Sequence, residues 1–352
     1  MRKSLKIKNK LKIRSLFVFY ELKENVANIY LRKLFIKELS KFGFDTLVIK
    51  NLNKFHSKIL YLFIVQSINK ESQNAYIKFA SNDIGRRINN QIIYKSNSHY
   101  KICDKLNINP SKYICIYSRD SNYLRKRFPN IDWGYHNHRN SDIKNFKKFA
   151  KYASENLGFS IVRIGSNPLE KIEWEPNENP CIVDYSFSQL RSEKNDIDLI
   201  AGCTIFFSNG GGPESVAIAS RRNIIKINQI PLGDTQLNDF GIWIPKIHKI
   251  INTDKYLSLM EICKINLQQS TFSKEFIDKN IYLHQNQPDD ILNIFLDYLK
   301  YKSNSFDEEE KSLICKYHHL RKVLKNRWGI LKNRKNFIAP SFLIKYRDLL
   351  KS

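Results

Sequence analysis

The most informative stretch of this sequence is TIFFSNGGGPESVA, residues 204–217. It opens with an apolar run, ending at Ser208, of the kind that forms a buried strand, and it closes with a segment of helical character. The three consecutive glycines at 210–212 let the backbone turn tightly between the two and approach a ligand closely. Pro213 suits the first turn of a helix. The stretch therefore predicts a strand that runs directly into the N-terminus of a helix.

Similar apolar runs alternate with helical segments along most of the chain. The further runs lie at 113–117, 159–164, 181–185 and 224–227, and helices are predicted at 142–156, 196–201 and 288–301. Buried strands that alternate with helices indicate a parallel, doubly wound α/β sheet. In the first hundred residues, runs at 16–20 and 46–49 flank a segment with helical spacing, which predicts a strand–helix–strand unit.

The composition limits the class of protein. A hydrophobic content of 42% excludes a disordered chain, and only 12 glycines exclude a collagen-like one. The formal net charge is +25. This excess of Lys accompanies abundant Asn and Ile, which AT-rich codons encode, so it fits compositional drift as well as selection for phosphate, polyanion or acidic-membrane binding. The six cysteines form no C-x-x-C pair, and no apolar run approaches the roughly 20 residues of a membrane span. We expect a cytoplasmic protein without disulfides.

The glycine turn is the first candidate site. A helix that begins directly after it offers free backbone N–H groups and a positive dipole end to a diphosphate. Asn209, Gly210, Gly211 and Gly212 would surround that group, and Glu214 would accept hydrogen bonds from ribose hydroxyls. The turn is neither a Walker A loop nor a G-x-G-x-x-G fingerprint. The alternative interpretation is a tight turn that binds no ligand.

Two further groups of polar residues follow the 113–117 strand. Arg119 can hold a phosphate with its planar guanidinium, and Asp120 can orient that arginine or a sugar hydroxyl; the alternative is an exposed ion pair of little consequence. His136 and His138 stand two residues apart with no third ligand nearby, so we expect no metal site, and His138 is a candidate for sugar contact or proton transfer. Arg139 is predicted to contact the donor diphosphate as well, and the alternative is that it serves the start of a helix.

The C-terminal segment, residues 303–352, is strongly basic and interleaves charge with apolar residues. Residues 320–336 allow three interpretations: a solvated helix face, a helix that lies on an anionic membrane surface, or a nucleic-acid contact. No recognised nucleic-acid module accompanies the charge, so we do not expect a nucleic-acid partner.

Together these pieces resemble a bacterial family of glycosyltransferases tied to surface-polysaccharide synthesis. The motifs that carry the resemblance are ICIYSRDSNYL at 114–124, HRNSDI at 138–143, FSIVRIGS at 159–166, VDYSFSQLRSEKNDIDLIAGCTIFFSNGGGPESVA at 183–217, IWIPK at 242–246 and NQPDDILNIFLDYL at 286–299. The GGGPE turn is also similar to the nucleotide-binding turn of GT-B enzymes, including sugar epimerases of that fold.

The resemblance implies an α/β protein of two Rossmann-like domains (GT-B-like) that face each other across a cleft. Residues 1–108 would form the acceptor-side domain, residues 109–302 the domain that binds the nucleotide-sugar diphosphate, and residues 303–352 a basic helical tail. This sequence departs from the family in a short N-terminal part and in that tail.

The implied activity is glycosyl transfer, without metal or cofactor, from a nucleotide-sugar donor to a surface-polysaccharide or lipid-linked glycan acceptor. The catalytic candidates are Arg119, Asp120 and His138, with Arg119 stabilising charge on the leaving group. The site of action would be the cytoplasm or the inner face of the cytoplasmic membrane. The alternatives are a sugar-nucleotide epimerase of the same fold and a non-enzymatic polyanion- or nucleic-acid-binding protein.

Overall fold

The fold is described from a computed structural model. It describes residues 98–232, 241–323 and 336–351, the backbone of 16–21 and 45–50, and the single residues 29, 30, 33 and 37. Its strands are β1 (Leu16–Glu21), β2 (Asp45–Lys50), β3 (Tyr113–Tyr117), β4 (Ser160–Arg163), β5 (Ile182–Val183), β6 (Ile205–Ser208), β7 (Asn223–Gln229), β8 (Gly241–Pro245), β9 (Ile247–Ile250), β10 (Ile281–His284) and β11 (Phe337–Ile338).

Ten α-helices accompany these strands in the described part of the chain. They are α1 (Tyr100–Lys105), α2 (Asn122–Arg127), α3 (Lys147–Glu155), α4 (Glu193–Gly202), α5 (Gly212–Ala219), α6 (Leu259–Lys264), α7 (Ser273–Ile277), α8 (Pro288–Ser303), α9 (Glu308–Val323) and α10 (Pro340–Lys345). Short 3-10 helices at Gly134–Arg139 and Ile143–Phe146 precede α3.

Seven parallel strands form the central sheet, in the spatial order β5-β4-β3-β6-β7-β8-β11. Numbered along the chain within this sheet, the order is 3-2-1-4-5-6-7, which is the strand order of Rossmann-like folds with one strand added at the edge. The direction of progression reverses between β3 and β6. At that switch point the crossovers leave to opposite sides and open a crevice beyond the carboxyl ends of the two strands.

Helices cover both faces of the sheet. The ring of Phe207 in β6 packs against Phe149 of α3, with ring centroids 4.4 Å apart, and against Phe295 of α8. On the opposite face, Tyr113 of β3 donates a hydrogen bond from its hydroxyl to the Leu199 carbonyl of α4, at 2.7 Å. The near-continuous burial of β3, β6, β7 and β8 follows from this double cover, which explains their unbroken apolar runs.

The sequence predictions of strands are confirmed at all five apolar runs of the sheet, and β1 and β2 pair in parallel as the predicted strand–helix–strand unit requires. The predicted helix between them lies largely outside the described residues. The predicted helix at 142–156 is divided, because Asp142 accepts a hydrogen bond from the backbone N–H of Lys144 and begins a 3-10 turn before α3.

Parts of the predicted N-terminal segment and of the predicted C-terminal tail pack with the sheet. Helix α1, within the segment predicted as the N-terminal domain, contributes buried Ile102 and Cys103 to the core around β3 and α4. Residues 303–352 contain the predicted helix as α9, but they also contribute β11 to the sheet and the buried Phe342 of α10. This C-terminal part is therefore built into the sheet domain. Residues 324–335, most of the predicted membrane-surface segment, lie outside the described residues.

Candidate functional site

The loops that follow β3 and β6 meet at the switch point of the sheet. Tyr117 and Ser208, the last residues of the two strands, are partners in the ladder. The side chain of Asn209 is 2% exposed and joins the loops: its Oδ1 accepts from the backbone N–H of Arg119 at 2.8 Å, and its Nδ2 donates to the carbonyl of Arg139 at 3.1 Å. Asn209, predicted as a ligand contact, thus lies beneath the site and positions two arginines.

The glycine turn adopts a backbone that other residues rarely reach. Gly210 and Gly211 have φ values of +90° and +130°. A Cβ at Gly211 would lie 3.0 Å from Cε1 of Tyr117, so a side chain there would press on the ring. Gly212 begins α5, is exposed, and has no atom within 4 Å of its Cβ position. The N-terminus of α5 therefore has open space beside Gly212.

A cavity of about 730 Å³ opens at this turn. Its walls come from the carboxyl ends of β3 and β4, from the first residues of α5 and from α4. Among the residues that line it are Arg119, Gly211, Gly212 and Pro213. The volume lies within the range of about 300–1,000 Å³ that small-molecule sites occupy.

Two arginines converge on the turn without a carboxylate partner. Arg119 and Arg139 are half-buried, and in each the Nε atom is shielded from solvent and has no hydrogen-bond partner among the described residues. Neither forms an ion pair within that part of the chain. Nη2 of Arg139 lies 3.5 Å from the Cβ position of Gly210. Burial lowers the pKa of Arg119, and the nearby charge of Arg139 lowers it further.

Arg163 and Arg191, which also line the cavity, form ion pairs within the protein. Arg163 is 2% exposed and donates from Nη1 to Asp184, at 3.1 Å, and to the carbonyl of Glu170. Arg191 pairs with Asp196 at 2.9 Å and donates from Nε to the carbonyl of Gly165. The cavity thus combines arginines that hold its walls with Arg119, which forms no ion pair in the described part of the chain, and Arg139 lies beside the same turn at Gly210.

The two acidic residues predicted as ligand contacts, Asp120 and Glu214, form hydrogen bonds or ion pairs within the protein. Asp120 accepts backbone N–H groups from Asn122 at Oδ1 and from Leu169 at Oδ2, at 2.8 and 2.9 Å, so its carboxylate ties the two loops together. Glu214 is 5% exposed and its Oε1 lies 2.8 Å from Nζ of Lys226 in β7. Its other oxygen, Oε2, is shielded from solvent. The predicted ribose contact would require this oxygen to open toward the larger cavity, whose lining does not include Glu214.

His138 lies on the far side of the Ser118–Asp120 segment, in the wall of a second cavity of about 520 Å³. Its Nδ1 lies 3.1 Å from Oγ of Ser273 and 3.2 Å from the carbonyl oxygen of Tyr135. Nε2 is shielded and has no partner among the described residues. Burial lowers the pKa of His138 to about 4, and the imidazole is neutral at pH 7.

Lys246 is a site residue that the sequence analysis does not single out. It directly follows the buried strand β8 and lines the second cavity, where it is 5% exposed. The signal that identifies Arg119, a cation directly after a buried strand, is also present in IWIPK at 242–246. Applied there, the same rule finds Lys246.

Within the described ranges, 98–232, 241–323 and 336–351, no group of three His, Cys, Asp or Glu side chains is arranged to hold a metal ion. None of the helices in those ranges has the length and apolar character that a membrane crossing requires. No family model matches the chain, and no curated protein shows a significant match to it.

Proposed function

We propose that the chain binds the diphosphate of a nucleotide-sugar at the glycine turn and transfers the sugar to a glycan or lipid-linked acceptor. The observation that carries the proposal is the position of Arg119 in the cavity at the N-terminus of α5, with Arg139 beside Gly210 and neither guanidinium in an ion pair within the described chain. Two guanidiniums and a helix N-terminus form a binding site for a group with two negative charges.

The same groups would assist the chemistry. When the bond between the sugar and the diphosphate breaks, negative charge grows on the leaving diphosphate. Arginine donors that are already in place, and that lie in a partly buried cavity, stabilise this charge more strongly in the transition state than water does. Asn209 fixes the backbones of both arginine loops, which preorganises the pair. No metal ion is needed to neutralise the leaving group in this scheme.

The architecture proposed is that of a GT-B-like transferase. The sheet domain would hold the donor, and the N-terminal residues, which begin with the parallel pair β1 and β2, would form a second Rossmann-like domain on the acceptor side. The Rossmann-like strand order and the site at its switch point support the donor half of this scheme. A location at the inner face of the cytoplasmic membrane would bring a lipid-linked acceptor within reach, and the net charge of +25 favours anionic surfaces.

A thermal-shift panel of UDP, GDP, CDP, CMP and ADP, with and without magnesium, tests the donor site. A ligand at 100 times its Kd stabilises the fold by about 2.7 kcal/mol. We expect one nucleoside diphosphate to stabilise the protein selectively, and Arg119→Ala and Arg139→Ala each to weaken its binding by about tenfold or more. Arg125→Ala is the control, because Arg125 is an exposed arginine of α2.

Three outcomes would contradict the proposal. If no nucleotide shifts the melting temperature, the donor site does not exist. If Arg119→Ala and Arg125→Ala bind equally well, the arginine pair is not the diphosphate site. If the best nucleotide-sugar is converted to its epimer, without acceptor-dependent release of the nucleoside diphosphate, the protein is an epimerase.

A further inference from the structure

The second cavity lies across the Ser118–Asp120 segment from the diphosphate site, and the two cavities share residues of that segment. One wall of the second cavity is polar, with Asn137 and Ser141 among its residues. The other wall is apolar and comes from α7 and β10, including Phe276 and Leu283. This cavity lies beside the proposed diphosphate site, and its mixed lining suits the part of a ligand that extends beyond the diphosphate.

Lys246 brings a buried positive charge to this cavity. Its Nζ donates to the carbonyl of Asn140 at 2.6 Å, which uses one of the three N–H groups of the ammonium. No carboxylate in the described part of the chain forms an ion pair with Lys246. Burial alone lowers its pKa from 10.5 to about 8, so the group keeps its charge at neutral pH without a counter-ion.

The acidic side chains that line the cavity have other partners. Asp120 accepts two backbone N–H groups, as described above, and Asp142 accepts the backbone N–H of Lys144 at Oδ1. Glu170 pairs with the ammonium of Lys144 at 3.4 Å. None of these carboxylates forms an ion pair with Lys246, so its charge remains available to a ligand.

We propose that the second cavity binds a negatively charged group, a carboxylate or a phosphate, with Lys246 as its counter-ion. The inference rests on the proposed function in one respect, because it assigns the anionic group to the transferred sugar or to the acceptor. An anion would take up the two remaining N–H groups of the ammonium and would offset the cost of burying it.

Neutral groups around the lysine complete a site for a sugar. His138 lines the cavity with a neutral imidazole. The amide of Asn137 and the hydroxyl of Ser121 also line the cavity. A sugar acid or a sugar phosphate combines the hydroxyls that suit these groups with the charge that suits Lys246. An uncharged sugar would leave the ammonium without a counter-ion, with only the carbonyl of Asn140 as its partner.

Two pairs of probes, each matched in structure and differing in one charged group, test the inference by titration calorimetry. The first pair compares the glucuronate and the glucose conjugates of the nucleoside diphosphate that binds best, and reports on an acidic donor sugar. The second pair compares farnesyl phosphate with farnesol, needs no nucleotide, and reports on a phosphate of the acceptor. The charged member of one pair should bind about tenfold or more tightly than its neutral twin.

Lys246→Met should abolish this preference, and Lys246→Arg should retain it. Lys249→Met is the matched control, because Lys249 is a more exposed lysine of β9 that pairs with Asp254 at 3.6 Å. The folding of each variant is checked by its melting temperature. Equal binding of charged and neutral probes in both pairs, or a preference that survives in Lys246→Met, would overturn the inference.

The two proposals fail in different ways in this experiment. If no nucleoside diphosphate binds but farnesyl phosphate binds through Lys246, the proposed function is wrong and the anion site is supported. If a nucleoside diphosphate binds through Arg119 and neither charged probe is preferred, the donor site stands and the anion site is wrong.

Discussion

Two lysines of neighbouring strands are buried to nearly the same extent in opposite electrostatic surroundings. Lys226 lies in β7, is 2% exposed, and its ammonium is 2.8 Å from the carboxylate of Glu214. Lys246 follows β8, is 5% exposed, and donates to the carbonyl of Asn140 with no carboxylate of the described chain beside it. The first charge is neutralised within the fold. The second has a cavity beside it.

This difference separates a structural charge from one kept for a ligand. Removing one member of a buried ion pair leaves an isolated charge in the interior, which costs more than the pair contributes. Removing a buried charge that has no counter-ion relieves a desolvation cost instead. The two lysine environments should therefore respond to mutation with opposite signs, although burial alone does not distinguish them.

The largest effect is expected when the carboxylate of the paired lysine is removed. Glu214→Ala leaves the Lys226 ammonium buried without this counter-ion. We expect the free energy of unfolding to fall by about 3–5 kcal/mol, as is typical when one partner of a buried ion pair is deleted. Urea denaturation of both proteins at pH 7 measures the difference.

A double variant provides the control for this prediction. Glu214→Gln with Lys226→Met removes both charges and keeps similar side-chain volumes, so most of the lost stability should return. A loss below about 1 kcal/mol in Glu214→Ala would show that water reaches the ammonium, and the contrast between the two lysines would then fail.

The unpaired lysine should show the opposite sign. Lys246→Met should raise the free energy of unfolding at pH 7 by up to roughly 3 kcal/mol, because a pKa lowered from 10.5 to about 8 corresponds to that amount at about 1.4 kcal/mol per pH unit. The unfolded chain binds more protons than the folded one between these two pKa values. The stability of the parent protein therefore rises with pH across this window.

The pH dependence distinguishes lost charge from altered packing. The gain in Lys246→Met should be complete below pH 8 and should shrink to about half by pH 9.5. The titratable neighbours His138 and His284 both have lowered pKa values and are neutral across this range. Urea denaturation at pH 7 and pH 9.5 tests the prediction. A gain that does not change with pH would assign the effect to packing, and a loss at pH 7 would contradict it.

The sequence allowed the sheet, the glycine turn and the position of Arg119 to be predicted, because each follows from a local pattern. Apolar runs mark the strands, and residues that follow parallel strands meet at one edge of the sheet. The partner of Glu214 depends on which strand lies next to β6 and on the register that places Ser208 beside Lys226. Such a pairing between distant residues has no local signal.

Two other features were beyond prediction for related reasons. The sequence predicts Asn209 and Arg139 as donor contacts, but the hydrogen bonds by which Asn209 holds the backbones of both arginine loops cannot be inferred from spacing. Strand β11 has only two residues, Phe337 and Ile338, which are too few to show a periodic pattern in the sequence. These residues form a strand because they pair with β8. The sequence therefore indicated a separate tail where the chain completes the sheet.

The arginine pair is expected to show the smallest effect of mutation, and it gives a further test of the contrast between paired and unpaired cations. Arg119 and Arg139 lack carboxylate partners within the described chain, as Lys246 does, but they are only half-buried, so solvent screens their charges. Arg119→Gln should therefore change the free energy of unfolding by less than about 1 kcal/mol, toward higher stability, because it removes repulsion between two like charges.

Salt separates this repulsion from other causes. Raising the ionic strength from about 0.05 M to about 0.5 M shortens the screening length from above 10 Å to below 5 Å, so the parent protein should gain stability more than Arg119→Gln does. Urea denaturation of both proteins at the two salt concentrations measures the difference. A loss of more than about 1 kcal/mol in Arg119→Gln would mean that the guanidinium supports the fold. Of the cations that lack a carboxylate partner in the described chain, only Lys246 would then remain as one held for a ligand.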